Sequence, residues 1–186
     1  MEEDRQLVAD VLGNMPGAFE RLVRDHQRLC WHIIQRMVRH PEDTRELCQE
    51  AFLLVHRKLH QYRFDAPLKS WIGQVAYSVA CRQLERKRIP LSDPGDGDTD
   101  AVALVADDID VEAAAADHEI ASALHAAIEA LPPLQRTLLT LYHLDEVPIA
   151  EISRITGLAE GTIKSHLFRS RKRLRELLEP RIGAAA

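Results

Sequence analysis

Six Lys and Arg side chains fall between Lys164 and Arg175, and Thr162 and Ser165 stand near the start of the same stretch. Cations repeated along a helix neutralise phosphates, and small hydroxyl side chains approach base edges or phosphate oxygens. The N–H groups at a helix start add to phosphate binding. The inner side of this stretch is apolar at Ile163, Leu167, Leu174 and Leu178, which is helical spacing. Upstream, Pro148 suits a first helical turn, where a missing N–H costs nothing. Ile149, Ile152 and Ile155 mark one face of that helix, and Thr156-Gly157-Leu158 breaks it. Gly157 can take the left-handed conformation that a sharp helix end needs. Two short helices, a glycine turn and a basic second helix predict a helix-turn-helix reading the DNA major groove. An ordinary solvated basic face is the plain alternative, and the glycine turn and the N-terminal hydroxyls weigh against it.

A second set of residues interleaves aromatics with bases. Tyr62, Phe64, Trp71 and Tyr77 lie near Arg63, Lys69, Arg82, Arg86, Lys87 and Arg88. That mixture suits unstacked single-stranded bases, which stack on aromatic faces while cations hold the backbone. The plainer account makes the aromatics core and the bases a solvated helix end. A third set, Asp43, Glu46, Gln49 and Glu50 with Arg45 between them, forms an acidic-polar helix face, either solvated or a dock for a basic partner. His56 and His60 have metal-ligand spacing, but no acid or thiol at a matching step completes a site. His26 and Cys30 share that spacing on an apolar stripe and are expected to be packed. No Ser/His/Asp set, glycine-rich phosphate loop or HExxH motif occurs, so neither an enzyme, a metal site nor a cofactor is expected.

The elements that must position these residues all read as helices. Hydrophobic residues make up 46% of the 186 and aromatics only 5%, which allows real cores and points away from β-sandwiches. A short helix is expected from Met1 to about Leu12, interrupted by Gly13-Asn14-Met15-Pro16-Gly17. Phe19, Leu22, Val23, His26, Leu29, Cys30, Ile33, Ile34 and Met37 then recur at steps of three and four, and His40-Pro41 ends that helix. A third helix is expected from about Glu42 to Leu59, and a fourth from Pro67 into Arg86-Lys87-Arg88. An Ala-rich helix is expected from about Val111 to Ala130. After Leu131-Pro132-Pro133 another covers 134–144, with Leu134, Leu138, Leu141 and Tyr142 facing in.

The net charge of −5 looks wrong for a nucleic-acid binder until it is divided. Residues 1–88 hold 15 Lys and Arg against 12 acids, residues 89–135 hold 11 acids and no base, and residues 136–186 hold 9 bases against 6 acids. Two mildly basic ends flank an acidic, Pro/Gly/Asp-rich middle that reads as a self-repelling linker. The expected organisation is all-α: a helical domain over 1–89, a flexible acidic linker over 90–112, and a second helical domain over 113–186 containing the helix-turn-helix. No apolar run approaches the roughly 20 residues of a membrane span, and the charged start MEEDRQLVAD lacks a signal-peptide layout. A cytoplasmic location follows, with Cys30, Cys48 and Cys81 as reduced, partly buried thiols.

Together these segments resemble the bacterial sigma factors of the extracytoplasmic-function type, over nearly the whole chain. The first domain's resemblance lies in AFERLVRDHQRLCWHI, EDTRELCQEAF (42–52) and SWIGQVAYSVACRQLERKR (70–88). The second's lies in ALPPLQRTLLTLYHL (130–144) and EISRITGLAEGTIKSHLFRSRKRLRELL (151–178). The resemblance implies roles. Asp43, Glu46, Gln49, Glu50 and Phe52 fall in the part that docks on the β′ clamp helices of core RNA polymerase. Tyr62, Arg63, Lys69, Ser70, Trp71, Gln74, Tyr77, Ser78 and Arg82 fall in the part that opens and reads the −10 element. Glu160, Thr162, Lys164, Ser165, Phe168, Arg169 and Lys172 fall on the helix that reads the −35 element, in a domain that also meets the β flap. The acidic linker resembles the segment that threads towards the active-site and RNA-exit channels, a path where negative charge suits a route meant for nucleic acid.

The implied partners are core polymerase, promoter DNA and an anti-sigma factor that is the cytosolic part of a membrane protein, with no membrane insertion by this chain. In overall impression the branch serving nickel and cobalt resistance is the nearest, although the nine histidines do not cluster. Five positions depart from the family pattern: Ser78 where Asn is common, His166 where Arg is common, Ala159 for a frequent Pro, Arg45 for an acid or neutral residue, and Cys48 for Thr or Val. At His166 this implies a DNA contact that is weaker or pH-dependent. Two rival readings are a stand-alone helix-turn-helix regulator that binds a palindrome as a dimer, and a helical adaptor that sequesters a partner without touching DNA.

Overall fold

The computed structural model describes residues 2–92 and 118–182. Among them every regular element is helical. By contact the chain divides into two units: one holds residues 1–89 with 150–157, the other the described parts of 90–149 and 158–186.

The first unit contains α1 (Glu2–Leu12), α2 (Ala18–Val38), α3 (Pro41–Lys58), a 3-10 turn (Leu59–Gln61) and α4 (Leu68–Arg86). It also contains α7 (Ile149–Thr156). The boundaries follow local chemistry. Gly17 enters α2 at φ 78°, a conformation that suits glycine. Arg39 closes α2 at φ 67°, its N–H donating to the Gln35 carbonyl, so a non-glycine residue serves as the left-handed cap. Pro41 opens α3 at its first turn. The Thr44 hydroxyl lies 2.8 Å from the His40 carbonyl and 2.7 Å from Gln35 Oε1, tying α3 to α2. Of the expected stripe of α2, Phe19, Val23, His26 and Leu29 are half-buried, and Leu22, Cys30, Ile33, Ile34 and Met37 are buried. They meet Leu47, Ala51 and Val55 of α3 and Leu68, Ile72, Val79 and Leu84 of α4 in a layered core.

The second unit contains α5 (His118–Glu129), α6 (Pro133–His143) and α8 (Glu160–Ile182). The expected linker beyond residue 92, and the expected helical stretch 111–117, lie outside the described residues. Leu124, Ile128, Leu134, Leu138, Leu141, Ile163, Leu167, Leu174 and Leu178 build the core. Tyr142, expected to face in, is 37% exposed. α6 instead buries polar residues between its leucines: Gln135, Arg136, Thr137 and Thr140.

Arg136 has a specific reason to be inside. At the Leu131-Pro132-Pro133 corner the Glu129 carbonyl, whose helical donor would be the N–H of residue 133, meets a proline. The Arg136 guanidinium, 1% exposed as a residue, donates to the carbonyls of Glu129 and Leu131 at 3.0 Å each. A buried charge is tolerated when it is hydrogen-bonded in this way.

Candidate nucleic-acid interface

Beyond Gly157, at φ 76°, the chain turns from α7 into α8. Its N–H donates to the Ser153 carbonyl at 2.8 Å, and the Thr156 hydroxyl to the Ile152 carbonyl at 2.8 Å, so the end of α7 is satisfied locally. Glu160 sits in the first turn of α8, where a negative charge suits the helix dipole. Ile163, Leu167, Leu174 and Leu178 are buried, and the opposite side presents Glu160, Lys164 and Lys172 to solvent. Thr162, Ser165, Phe168 and Arg169 are half-buried along its flanks. The structure therefore collects the seven residues expected at the −35 element on the side of α8 away from its core.

His166 overturns one expectation. It is 4% exposed and lies on the inner side, away from the exposed face of α8 where a DNA contact was expected. Its Nδ1 lies 3.3 Å from an Arg169 guanidinium nitrogen, and its carbonyl accepts from the buried Ser170 hydroxyl at 2.8 Å.

In the first unit, the loop Gln61–Ala66 and α4 bring the other set together. Trp71, Gln74, Ser78 and Arg82 line one groove of about 560 Å³ beside Lys58 and Gln61. Lys58 was missed from sequence because it sits at the end of a different helix, α3. Tyr62, Arg63, Trp71 and Gln74 also border a pocket of about 280 Å³ under the loop. Arg63, Lys69, Gln74, Ser78 and Arg82 are exposed, and Trp71 and Tyr77 are half-buried.

Two expected contact residues turn inward. Tyr62 is 7% exposed, its hydroxyl bonded to the Ala66 carbonyl and its ring 4.6 Å from Phe64 and 5.4 Å from Trp71. Ser70 is 1% exposed and its hydroxyl has no hydrogen-bond partner among the described residues. Both support the surface rather than form it. Burial pushes the Tyr62 and Tyr77 phenols up, so both stay protonated at neutral pH.

On α3, Glu46 and Gln49 are exposed, Asp43 and Glu50 are half-buried, and Phe52 is buried at 7% exposure. Asp43 pairs with Lys87, whose hydrogen bond holds the carboxyl below its usual range, and Glu50 lies 3.6 Å from Arg82. Arg45, an extra base by the family pattern, lies 3.2 Å from Glu42. Between α2 and α3 runs an apolar groove of about 790 Å³, walled by Phe19, Val23, Trp31 and Phe52, with Leu53 56% exposed at its rim. Nothing in the sequence flagged it, because a groove is a property of two helices and periodicity describes one.

All three cysteines are free. Cys30 and Cys48 face each other across α2 and α3, and that contact together with burial pushes the Cys30 thiol up. His56 packs edge-on against Phe19 at 4.9 Å. Among the described residues, no three His, Cys, Asp or Glu side chains are placed to hold a metal ion. Nor is any described helix long and apolar enough to cross a membrane.

Comparison with known proteins supplies the remaining observation. Residues 22–89 match Sigma-70 region 2, and residues 121–174 match Sigma-70 region 4. The RNA polymerase sigma-H factor of Pseudomonas aeruginosa is 29% identical over 99% of this chain and 98% of its own. The ECF RNA polymerase sigma factor SigM of Mycobacterium tuberculosis is 31% identical over 94% of this chain and 84% of its own. Among solved structures, CnrH in complex with the cytosolic domain of CnrY aligns with a TM-score of 0.65 at 20% identity, covering 95% of this chain and 97% of that one. The sigma factor RpoE in complex with the anti-sigma factor NepR from Bartonella quintana aligns at 0.62 and 19% identity, covering 88% and 98%.

Proposed function

The chain belongs to the extracytoplasmic-function (ECF) sigma factors of RNA polymerase, and from that premise we propose how its parts divide the work of starting transcription. The protein directs RNA polymerase to promoters. In the proposed division, domain 1–89 docks on the β′ clamp helices through the α3 face of Asp43, Glu46, Gln49 and Glu50, with Phe52 shaping that face from beneath. The same domain captures unpaired −10 bases on Arg63, Lys69, Trp71, Gln74, Tyr77, Ser78 and Arg82, over the support of Tyr62 and Ser70. The domain over 113–186 meets the β flap and reads duplex −35 DNA through Glu160, Thr162, Lys164, Ser165, Phe168, Arg169 and Lys172. Segment 90–112 links them. The region 4 match runs through α7 into α8, which supports assigning both helices of the helix-turn-helix to the second domain.

One observation carries the reading: region 2 and region 4 matches occur in order on one chain, each over helices that present polar and basic residues outward. A lone helix-turn-helix regulator needs only the second. Each end of the chain is mildly basic, so free protein should hold DNA weakly, and polymerase would supply the effective concentration that makes two weak anchors strong.

In this reading an anti-sigma factor, the cytosolic part of a membrane protein, holds the protein inactive in the cytoplasm. The support is two similar folds, one solved with the cytosolic domain of CnrY and the other with the anti-sigma factor NepR. Run-off transcription on fragmented genomic DNA with core polymerase tests the proposal. Discrete transcripts that need this protein are expected, and a Glu46→Lys, Gln49→Ala double variant should lose them together with core binding while keeping its helical content. Tight, specific gel shifts by the free protein would favour the dimeric regulator instead, and the absence of any specific transcript would favour the adaptor.

A further inference from the structure

The helix that precedes the matched family region is wired into the loop that follows α3. We propose that α1 is a positioning element for reading unpaired −10 bases: Asp4 and Arg5 hold the Gln61–Ala66 loop and the start of α4 in their base-accepting shape. The inference rests on the proposed −10 role of that surface.

α4 begins at Leu68, behind Pro67, a cap residue with no side-chain hydrogen bond to offer. Helix starts carry orphan N–H groups and a partial positive charge, normally met by a nearby Ser, Thr, Asp or Asn. Here the acceptor comes from 64 residues away: Asp4 Oδ2 receives the Leu68 N–H at 3.1 Å. The carboxylate also meets the positive end of the helix that carries Lys69, Trp71 and Gln74.

The loop itself needs holding. Phe64 stands at φ 60°, a left-handed conformation that bulky side chains avoid. Such a residue persists only where its surroundings fix it. Its ring lies between the Tyr62 ring, at 4.6 Å, and the Arg5 guanidinium, 5.1 Å from its centroid. Tyr62 in turn ties its hydroxyl to the Ala66 carbonyl and packs against Trp71. A chain of contacts thus runs from Arg5 through Phe64 and Tyr62 to Trp71, with Arg63 exposed at the crest. α1 has apolar anchors besides: Leu7, Val8 and Val11 are buried one and two turns on, along the stripe that Asp4 begins. Asp4 and Arg5 can therefore be changed without removing the helix.

The test uses holoenzyme, reconstituted from core polymerase and the full chain, and a pool of randomised single-stranded DNA as probe. The bound fraction and its base preference are read by sequencing. Asp4→Ala should lower retention about 5-fold, in the range of a lost helix cap. Arg5→Ala should lower it about 3-fold, the scale of an exposed cation–π contact. Both should flatten the base preference while core binding stays near wild type, with the Asp4→Ala midpoint lower only by the few degrees that a lost cap costs. Asp4→Asn keeps an acceptor and should restore most of the retention.

A merely structural role would move the midpoint and core binding together and leave the preference intact, which would overturn the proposal. So would wild-type retention by Asp4→Ala and Arg5→Ala, or an Asp4→Asn as weak as Asp4→Ala. Trp71→Ala is the separate arm. If it loses retention while the α1 variants do not, the −10 surface stands and the role of α1 falls. If it also binds normally, the surface itself has been misassigned.

Discussion

Replacing Arg136 should destabilise the second unit while leaving the first unit intact. Its guanidinium satisfies two carbonyls, of Glu129 and Leu131, at 3.0 Å each in a buried corner where two consecutive prolines provide no donors. Each carbonyl left without a partner costs about 1–3 kcal/mol. Arg136→Met keeps much of the apolar volume and removes the donors to both carbonyls, so a loss of about 4 kcal/mol is expected from the pair. For a unit of this size that is a fall of more than about 15 °C in Tm. Arg136→Lys, with one ammonium in place of a fork, should lose roughly half as much. The chain offers a convenient readout, because both tryptophans, Trp31 and Trp71, lie in the first unit. In urea, tryptophan fluorescence follows the first unit and far-ultraviolet circular dichroism follows both. The Met variant should show an early dichroism transition with an unshifted fluorescence transition. If Arg136→Met unfolds within about 1 kcal/mol of wild type, the two carbonyls find other partners and the account of the corner is wrong.

Three further outcomes are expected. Lys164→Ala and Arg169→Ala should each weaken −35 selection by about 1–3 kcal/mol if they reach base edges, read as relaxed −35 sequence enrichment among run-off transcripts; unchanged enrichment in both would mean that another side of α8 faces DNA. Gly157→Ala should cost only about 1 kcal/mol in urea, since the residue sits at φ 76° but an added Cβ meets no atom within 4 Å; a loss above about 3 kcal/mol would reveal a clash or a larger rearrangement of the turn. Burial holds the His26 and His143 pKa values below the ordinary 6.5, with Arg171 adding to the effect at His143. The unfolded chain therefore takes up these protons first, so stability present above about pH 6.5 declines as pH falls below it and levels off under the folded values. Urea midpoints measured from about pH 7.5 to 5.5 should show this decline, and His143→Gln should flatten its dichroism component; a midpoint that rises on acidification would reverse the assigned sign.

The helices were legible because apolar residues at steps of three and four must bury, as Leu22, Ile33 and Met37 do, and because Pro41, Gly17 and Gly157 can serve only a few backbone roles. The outward side of α8 was legible for the same reason. What escaped was whatever depends on a second element. Tyr62, Ser70 and Phe52 were read as contact residues from their family positions, yet each is covered by neighbours that no local pattern names. His166 looked like a substituted cation and is a packed ring. Tyr142 looked like core and stands 37% exposed, while Arg136, which no apolar pattern singled out, is buried. Periodicity assigns a face to the apolar residues; it cannot foresee an arginine drawn inside by two prolines three and four positions earlier. Asp4 and Leu68 show the same limit at a separation of 64 residues.

The Pro132-Pro133-Arg136 corner also constrains how this sequence can change through evolution. Arg136 is needed because the prolines supply no N–H, so its value is conditional on theirs. A lineage that lost the arginine first would pass through a form with two stranded carbonyls. One that first regained an N–H at 133 would relieve the Glu129 carbonyl alone, and the Leu131 carbonyl would still hold the arginine in place. The three positions should therefore change in a preferred order, with the arginine last. A relative carrying both prolines but no arginine would be expected to hold a different donor at that corner.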